Sequence, residues 1–226
     1  MWIKICGNTN LEDARLAAEL GADAVGFVFA PSPRQVSAAQ VAEITPQLPH
    51  TLAKVGVFVT QDFDEIAATV REAGLTGMQL GGFDPHLVLR LGEAFPDLMV
   101  VQTAHWTAGK QSAQEFVSAL HELRGAMGID AVLVDSRTAT ASGGTGITFD
   151  WKAARQALAG LGSLPYIVAG GLNPGNVADA ISVLQPWGVD VASGVEAHPG
   201  RKDPEKVAAF IRVARASASQ IVVQAD

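Results

Sequence analysis

The sequence predicts an α/β protein whose core is a closed ring of eight parallel strands, each followed by a helix. Three observations carry that expectation. Short apolar runs of strand length alternate with longer stretches of helical periodicity along the whole chain. That alternation calls for a parallel sheet, because a parallel pair needs a crossover connection and the crossover helix covers the sheet. Eight such units share 226 residues, which suits a closed (β/α)8 TIM barrel, whereas an open doubly wound sheet of that length has fewer strands.

The first unit opens on Trp2-Ile3-Lys4-Ile5-Cys6, a strand over 2–6, and runs into a helix from Leu11 to Leu20 with Asn10 as its cap. The second joins a strand over 24–29 to a helix from Ala38 to Leu48 behind Ser37. The third joins 53–59 to a helix from Asp62 to Ala73, and the fourth joins 76–80 to Pro85 through Ala94 behind Asp84. In the fifth, a strand over 97–103 meets polar residues and a long loop before a helix from Ser112 to Leu123. The sixth strand, 129–134, precedes a helix from Trp151 to Leu161 capped by Asp150. The seventh, 164–169, leads to Gly175 through Leu184 with Asn173 as cap, and the eighth, 188–192, to Pro204 through Ala214 behind Asp203. Residues 1–216 thus read as one domain, and Ser217 to Asp226 as a tail detached from the pattern.

Composition narrows the function classes. With 48% hydrophobic and 17% charged residues the chain can bury a full core. The net charge is -7 and the basic residues form no stripe, which argues against a nucleic-acid partner. No apolar run approaches the ~20 residues that span a bilayer, and the N-terminus lacks a signal-peptide pattern. One cysteine in the whole chain fits a reducing cytoplasm. The expected partner is a phosphorylated small molecule, with the protein a monomer or homodimer.

Barrel enzymes carry their chemistry where strands end, on the loops that lead to helices. Cys6 closes the first strand, and a lone thiol there is more readily a reactive group than half of a disulfide. Asp135 stands at the end of Val132-Leu133-Val134. One candidate base and one candidate acid therefore face the same end of the barrel. Arg34, stiffened by Pro31 and Pro33, follows the second strand, where its guanidinium could fork onto a carboxylate or phosphate. Gly170 and Gly171 follow the seventh strand ahead of Asn173, and Ser193 and Gly194 follow the eighth. Glycines there let backbone amides approach a phosphate, and the loops after strands seven and eight are the usual phosphate cradle of such barrels. The glycine-rich stretch after Asp135 is long enough to act as a lid.

Taken together, KICG, GFVFAPSPR, VGVF, GGTGITFDW, VAGGLNPGNV and SGVE followed by GRKD resemble the phosphoribosylanthranilate isomerases of tryptophan biosynthesis, in order from Met1 to about Ile211. The resemblance implies a barrel that performs an Amadori rearrangement without metal or organic cofactor. It also implies a cysteine base at Cys6, an aspartate acid at Asp135, and an arginine for the anthranilate carboxylate at Arg34. The chemistry needs those roles: a proton must reach the sugar ring oxygen to open the furanose, and the C2 proton must then leave the iminium. The acid has to be protonated when substrate arrives, which burial favours. The base has to reach thiolate, which nearby amide dipoles would help.

Three places differ from the family pattern. Gln79-Leu80-Gly81-Gly82 stands where the family commonly has QLHG, Ile147 replaces a lysine, and the fifth strand ends in Gln102, Thr103, His105 and Trp106, a polar and aromatic edge. His105 is a candidate to refill the space at Gly81. Two other readings accompany the isomerase. One is a related barrel isomerase acting on another phosphoribosyl amine, as in the histidine pathway, although those enzymes place an aspartate where this chain has Cys6. The other is a non-catalytic protein that binds a phosphorylated ligand.

Overall fold

The structure, a computed structural model, describes residues 1–108, 113–138 and 151–224. Eight strands form the expected closed barrel in chain order: β1 (Trp2–Ile5), β2 (Ala24–Val28), β3 (Ala53–Phe58), β4 (Gly77–Leu80), β5 (Met99–Ala108), β6 (Ala131–Thr138), β7 (Tyr166–Ala169) and β8 (Gly188–Val191). Every neighbouring pair is parallel, and β8 pairs with β1 from Trp2↔Gly188 to Ile5↔Val191 to shut the ring. A short antiparallel hairpin follows, β9 (Glu196–His198) and β10 (Arg201–Lys202), which the sequence pattern did not predict.

The helices are α1 (Leu11–Glu19), α2 (Ala38–Ile44), α3 (Phe63–Glu72), α4 (Pro85–Ala94), α5 (Ala113–Gly125), α6 (Trp151–Leu158), α7 (Val177–Leu184) and α8 (Pro204–Gln224). The starts of α1, α2, α3, α4 and α8 are fixed by side chains that take up free first-turn amides. Asn10 accepts from the amide of Asp13 at 2.9 Å, and Ser37 and Gln40 form a reciprocal capping box. Asp62, Asp84 and Asp203 each accept two amides, at the starts of α3, α4 and α8. Asp150 lies outside the described residues, as do Ile147 and most of the stretch read as a lid.

The larger core lies between the outer faces of the strands and the helices, where Phe27, Met78, Leu91, Leu120, Ile181 and Phe210 are buried. A smaller one fills the barrel itself: Val101, Ala131, Leu133, Ile167 and Ala169, with Trp2 and Met99 against them. This interior is a packed floor rather than a pore, and it leaves the other end of the barrel for a site.

Several boundaries differ from those the sequence suggested. Strands β5 and β6 run on together through eight rungs, from Val101↔Ala131 to Ala108↔Thr138. Polar residues suggested a strand end near residue 103. Instead Thr103 and His105 alternate with buried Ala104 and Trp106, and Trp106 packs edge-on against Phe116 of α5 with ring centroids 4.8 Å apart. Trp106 therefore belongs to the sheet–helix core rather than to an aromatic edge of the site, and Asp135 sits within β6 rather than after it. Helix α7 begins at Val177, because Asn173 and Asn176 first build a turn: Asn173 Oδ1 accepts from the Gly175 amide, and Asn176 Oδ1 from the Asn173 amide, both at 2.8 Å. Finally, α8 continues through Gln224, past Ala214 where the pattern placed its end.

Candidate active site

At the carboxyl ends of the strands a cavity of ≈ 190 Å³ opens, lined by residues that include Arg34, Gln79, Asp135, Asp190 and Ser193 with the Gly170-Gly171 pair. Side chains alternate along a strand, so Trp2, Lys4 and Cys6 share one face. Lys4 is 1% exposed, and its Nζ donates to Gln79 Oε1 at 2.7 Å and Asp190 Oδ1 at 3.0 Å, tying β1 to β4 and β8 across the barrel. Gln79 in turn donates to Thr103 Oγ1 at 3.3 Å.

Cys6 stands just outside the cavity wall, 7% exposed, with its amide bonded to the carbonyl of Val191, a lining residue, at 2.8 Å. Glycine is required opposite it: a Cβ on Gly26 would stand 2.6 Å from Cys6 Sγ and 2.9 Å from Lys4 Cε. Burial pushes the thiol above its ordinary range, and the charges of Lys4 and Lys202 offset this only in part. The amide dipoles expected to help the thiolate do not prevail against desolvation. Burial likewise pushes the Asp190 carboxyl up against the pull of Lys4. The Lys4 ammonium is pulled down by burial, but Asp190 and Cys6 more than restore it. One buried cation thus faces two groups able to become anions.

Arg34 is already engaged. Its Nε and Nη2 fork onto Glu196 at 2.7 and 2.6 Å, while Glu196 Oε1 also accepts from Lys202 Nζ at 3.1 Å. Burial pushes the Glu196 carboxyl up, but the Arg34 hydrogen bonds and the Lys202 charge more than offset that and hold it below the usual range. Lys202 reaches back to the carbonyl of Cys6 at 2.5 Å, so the β9–β10 hairpin braces the loop that carries the thiol. Arg34 thus lines the cavity as a held guanidinium rather than a swinging one, with Nη1 outside the Glu196 fork.

On the opposite side, Gly170 and Gly171 adopt φ of 85° and 68°, left-handed backbone that other residues rarely take. The chain after β8 makes a single 3-10 turn over Ser193–Val195. A Cβ on Gly194 would fall 1.9 Å from the Leu172 carbonyl, so only glycine lets the loops after β7 and β8 touch. Gly194 lies behind the cavity wall, not on it. Asn173 is placed differently from its expected role: its amide and side chain are committed to the turn before α7, and it does not line the cavity.

Asp135 lies in register with His105 of β5, and His105 Nδ1 stands 3.6 Å from Asp135 Oδ2. Position 81, where a lost imidazole suggested a gap, offers no room: a Cβ there would meet Val59 Cγ1 at 2.9 Å and Phe58 O at 3.1 Å. His105 therefore faces Asp135, not Gly81.

Lys4, Gln79, Asp190, Glu196 and Lys202 join the site without having been singled out by sequence pattern. Lys4 and Asp190 carried a signal: each is a lone charge inside an otherwise apolar strand, and a charge on a buried strand needs a partner. No three His, Cys, Asp or Glu residues among the described ones are grouped to hold a metal ion, and no described helix is long and apolar enough to cross a membrane.

Comparison with known proteins adds independent findings. Residues 3–213 match the family model described as N-(5'phosphoribosyl)anthranilate (PRA) isomerase. The N-(5'-phosphoribosyl)anthranilate isomerase of Acidithiobacillus ferrooxidans is 41% identical over 211 residues, 92% of this chain and 95% of that protein. The crystal structure of phosphoribosyl anthranilate isomerase from Thermotoga maritima superposes with a TM-score of 0.83 at 35% identity, covering 96% of this chain and 99% of that one. A further structure, of the isomerase with reduced 1-(o-carboxyphenylamino)-1-deoxyribulose 5-phosphate, gives a TM-score of 0.78 at 34% identity over 96% and 99% of the two chains.

Proposed function

The chain belongs to the N-(5'-phosphoribosyl)anthranilate isomerase family, and from that premise we propose how its residues divide the reaction. It is an aldose–ketose isomerase of tryptophan biosynthesis, turning N-(5'-phosphoribosyl)anthranilate into the 1-deoxyribulose phosphate product. Asp135 delivers a proton to the ring oxygen; the C1–O bond breaks toward that oxygen, and the aryl nitrogen lone pair forms the iminium. Cys6, as thiolate, removes the C2 proton, and the electron pair collapses to neutralise the iminium nitrogen. The resulting enolamine then tautomerises to the ketone.

The observation that carries this reading is the buried cation. Lys4 lies within electrostatic reach of Cys6 and bonds Asp190, whose own ionisation responds to Asp135. A thiolate formed beside Lys4 replaces solvent with a fixed positive charge that needs no reorganisation. Arg34, pinned by Glu196, offers its remaining nitrogen to the anthranilate carboxylate. Gly170, Gly171, Ser193 and Gly194 shape the phosphate cradle, with Asn173 holding the turn behind it. We assign the enzyme to the cytoplasm, as a monomer or homodimer of one barrel domain.

The test is the loss of substrate fluorescence with wild type, Cys6→Ser and Asp135→Asn. Each variant is expected to lower kcat by ~10²-fold or more with binding less affected. Full turnover by either variant removes that residue from its role, and binding without turnover by a folded wild type returns the reading of a ligand-binding barrel.

A further inference from the structure

The imidazole of His105 is unexplained by the roles assigned so far. Its Nδ1 is shut off from solvent and has no hydrogen-bond partner, yet it points at Asp135 Oδ2 from 3.6 Å. Their backbones are direct partners in the β5–β6 ladder, which extends three rungs further, so the two side chains stand side by side on a continuous stretch of sheet. At 3.6 Å the contact is just longer than a hydrogen bond, a common state for catalytic contacts that tighten when substrate binds. A buried ring nitrogen without a partner is unfavourable, so contraction of this gap satisfies the imidazole.

We infer that His105 is a positioning residue for the general acid: its Nδ1–H engages Oδ2 of Asp135, keeping the transferable proton on the other carboxyl oxygen. The inference rests on Asp135 being the acid. A neutral carboxyl has one proton and two oxygens, and an N–H donor on one oxygen favours the tautomer with the proton on the other. As that proton passes to the ring oxygen and the C1–O bond breaks, Asp135 becomes a carboxylate and the Nδ1–H···Oδ2 contact strengthens. His105 transfers no proton itself. A contact that is stronger in the transition state than before it lowers the barrier.

The experiment compares His105→Leu, His105→Gln and His105→Asn, alone and in an Asp135→Asn background, by kcat and KM from substrate fluorescence. An asparagine amide falls near Nδ1, whereas a glutamine amide reaches toward Nε2. The leucine and glutamine variants are expected to lose roughly tenfold in kcat with KM nearly unchanged, and the asparagine variant to retain most activity. In the Asp135→Asn background the His105 changes should cost nothing more. Wild-type kcat in His105→Leu, equal behaviour of the glutamine and asparagine variants, or an undiminished loss in the Asp135→Asn background overturns the inference. Should the leucine variant not fold, the asparagine–glutamine contrast decides alone. Undiminished turnover by Asp135→Asn itself would instead overturn the acid assignment, a separate result.

Discussion

Replacing Lys4 by methionine keeps the volume of the side chain and removes its charge. Asp190 then loses the ammonium at 3.0 Å and Gln79 the donor at 2.7 Å, in a place where Lys4 is 1% exposed. Removing one partner of a buried ion pair costs about 3–5 kcal/mol, because the other charge is left without compensation. For a chain of this length that corresponds to a fall in Tm of about 6–20 °C. The deficit should depend on pH with a definite sign. In Lys4→Met the Asp190 carboxyl, already pushed up by burial, loses its main counterweight. Its folded-state pKa rises further above the unfolded value of about 4, so the penalty is smallest below that pH and grows as pH rises toward the folded value. Urea denaturation of Lys4→Met, Asp190→Asn and the double variant, between pH 5 and 8, measures this. The double variant should recover about 2 kcal/mol or more relative to the sum of the single losses, since neither charge is then stranded. A deficit that ignores pH, or single losses that simply add, would refute the account of Lys4 as the counter-ion of a buried carboxylate.

Cys6 is the single thiol of the chain, so its alkylation by iodoacetamide reports one group. Because burial raises this thiol, the rate should climb with pH through a midpoint above the ordinary value of about 8.5; a midpoint below it contradicts the dominance of desolvation. Gly194→Ala forces apart the loops after β7 and β8, where only 1.9 Å separates the new Cβ from the Leu172 carbonyl. KM should rise by roughly tenfold or more, and an unchanged KM removes this contact from phosphate binding. Arg34→Ala should raise KM roughly tenfold or more while kcat changes little, through the loss of a charge-assisted hydrogen bond to the carboxylate; steady-state kinetics that find KM unchanged would count against it.

Much of this was legible from residue order because the barrel repeats one simple unit. Each apolar run such as Val55 to Phe58 or Ile167 to Ala169 lies inside a strand, and cap residues such as Ser37 and Asp203 mark helix starts where capping physics puts them. The ends of β5 and β6 were less legible. Polarity usually signals a loop, but Gln102 and Thr103 are buried in the sheet, where Gln102 Nε2 donates to the carbonyls of Leu80 and Gly82 at 3.1 Å. Cys6 and Asp135 stood out because each follows an apolar run. Glu196 and Lys202 did not, because their meaning comes from a hairpin that returns the chain to Cys6 across 196 positions. No local pattern encodes such a return.

The seam at which β8 meets β1 makes the proposed reaction centre a product of the whole chain. The thiol and its ammonium come from the first six residues, while their counter-charge and braces come from Asp190, Glu196 and Lys202; the Lys4–Asp190 contact alone spans 186 positions. Contacts that close so long a loop form late, because the entropy of closure must be overcome before they contribute. A nascent chain lacking the last unit thus holds a lysine destined for burial and no carboxylate to receive it. On the proposed roles, competence therefore depends on ring closure, and a chain truncated before residue 190 should bind no substrate however many of its earlier units have folded.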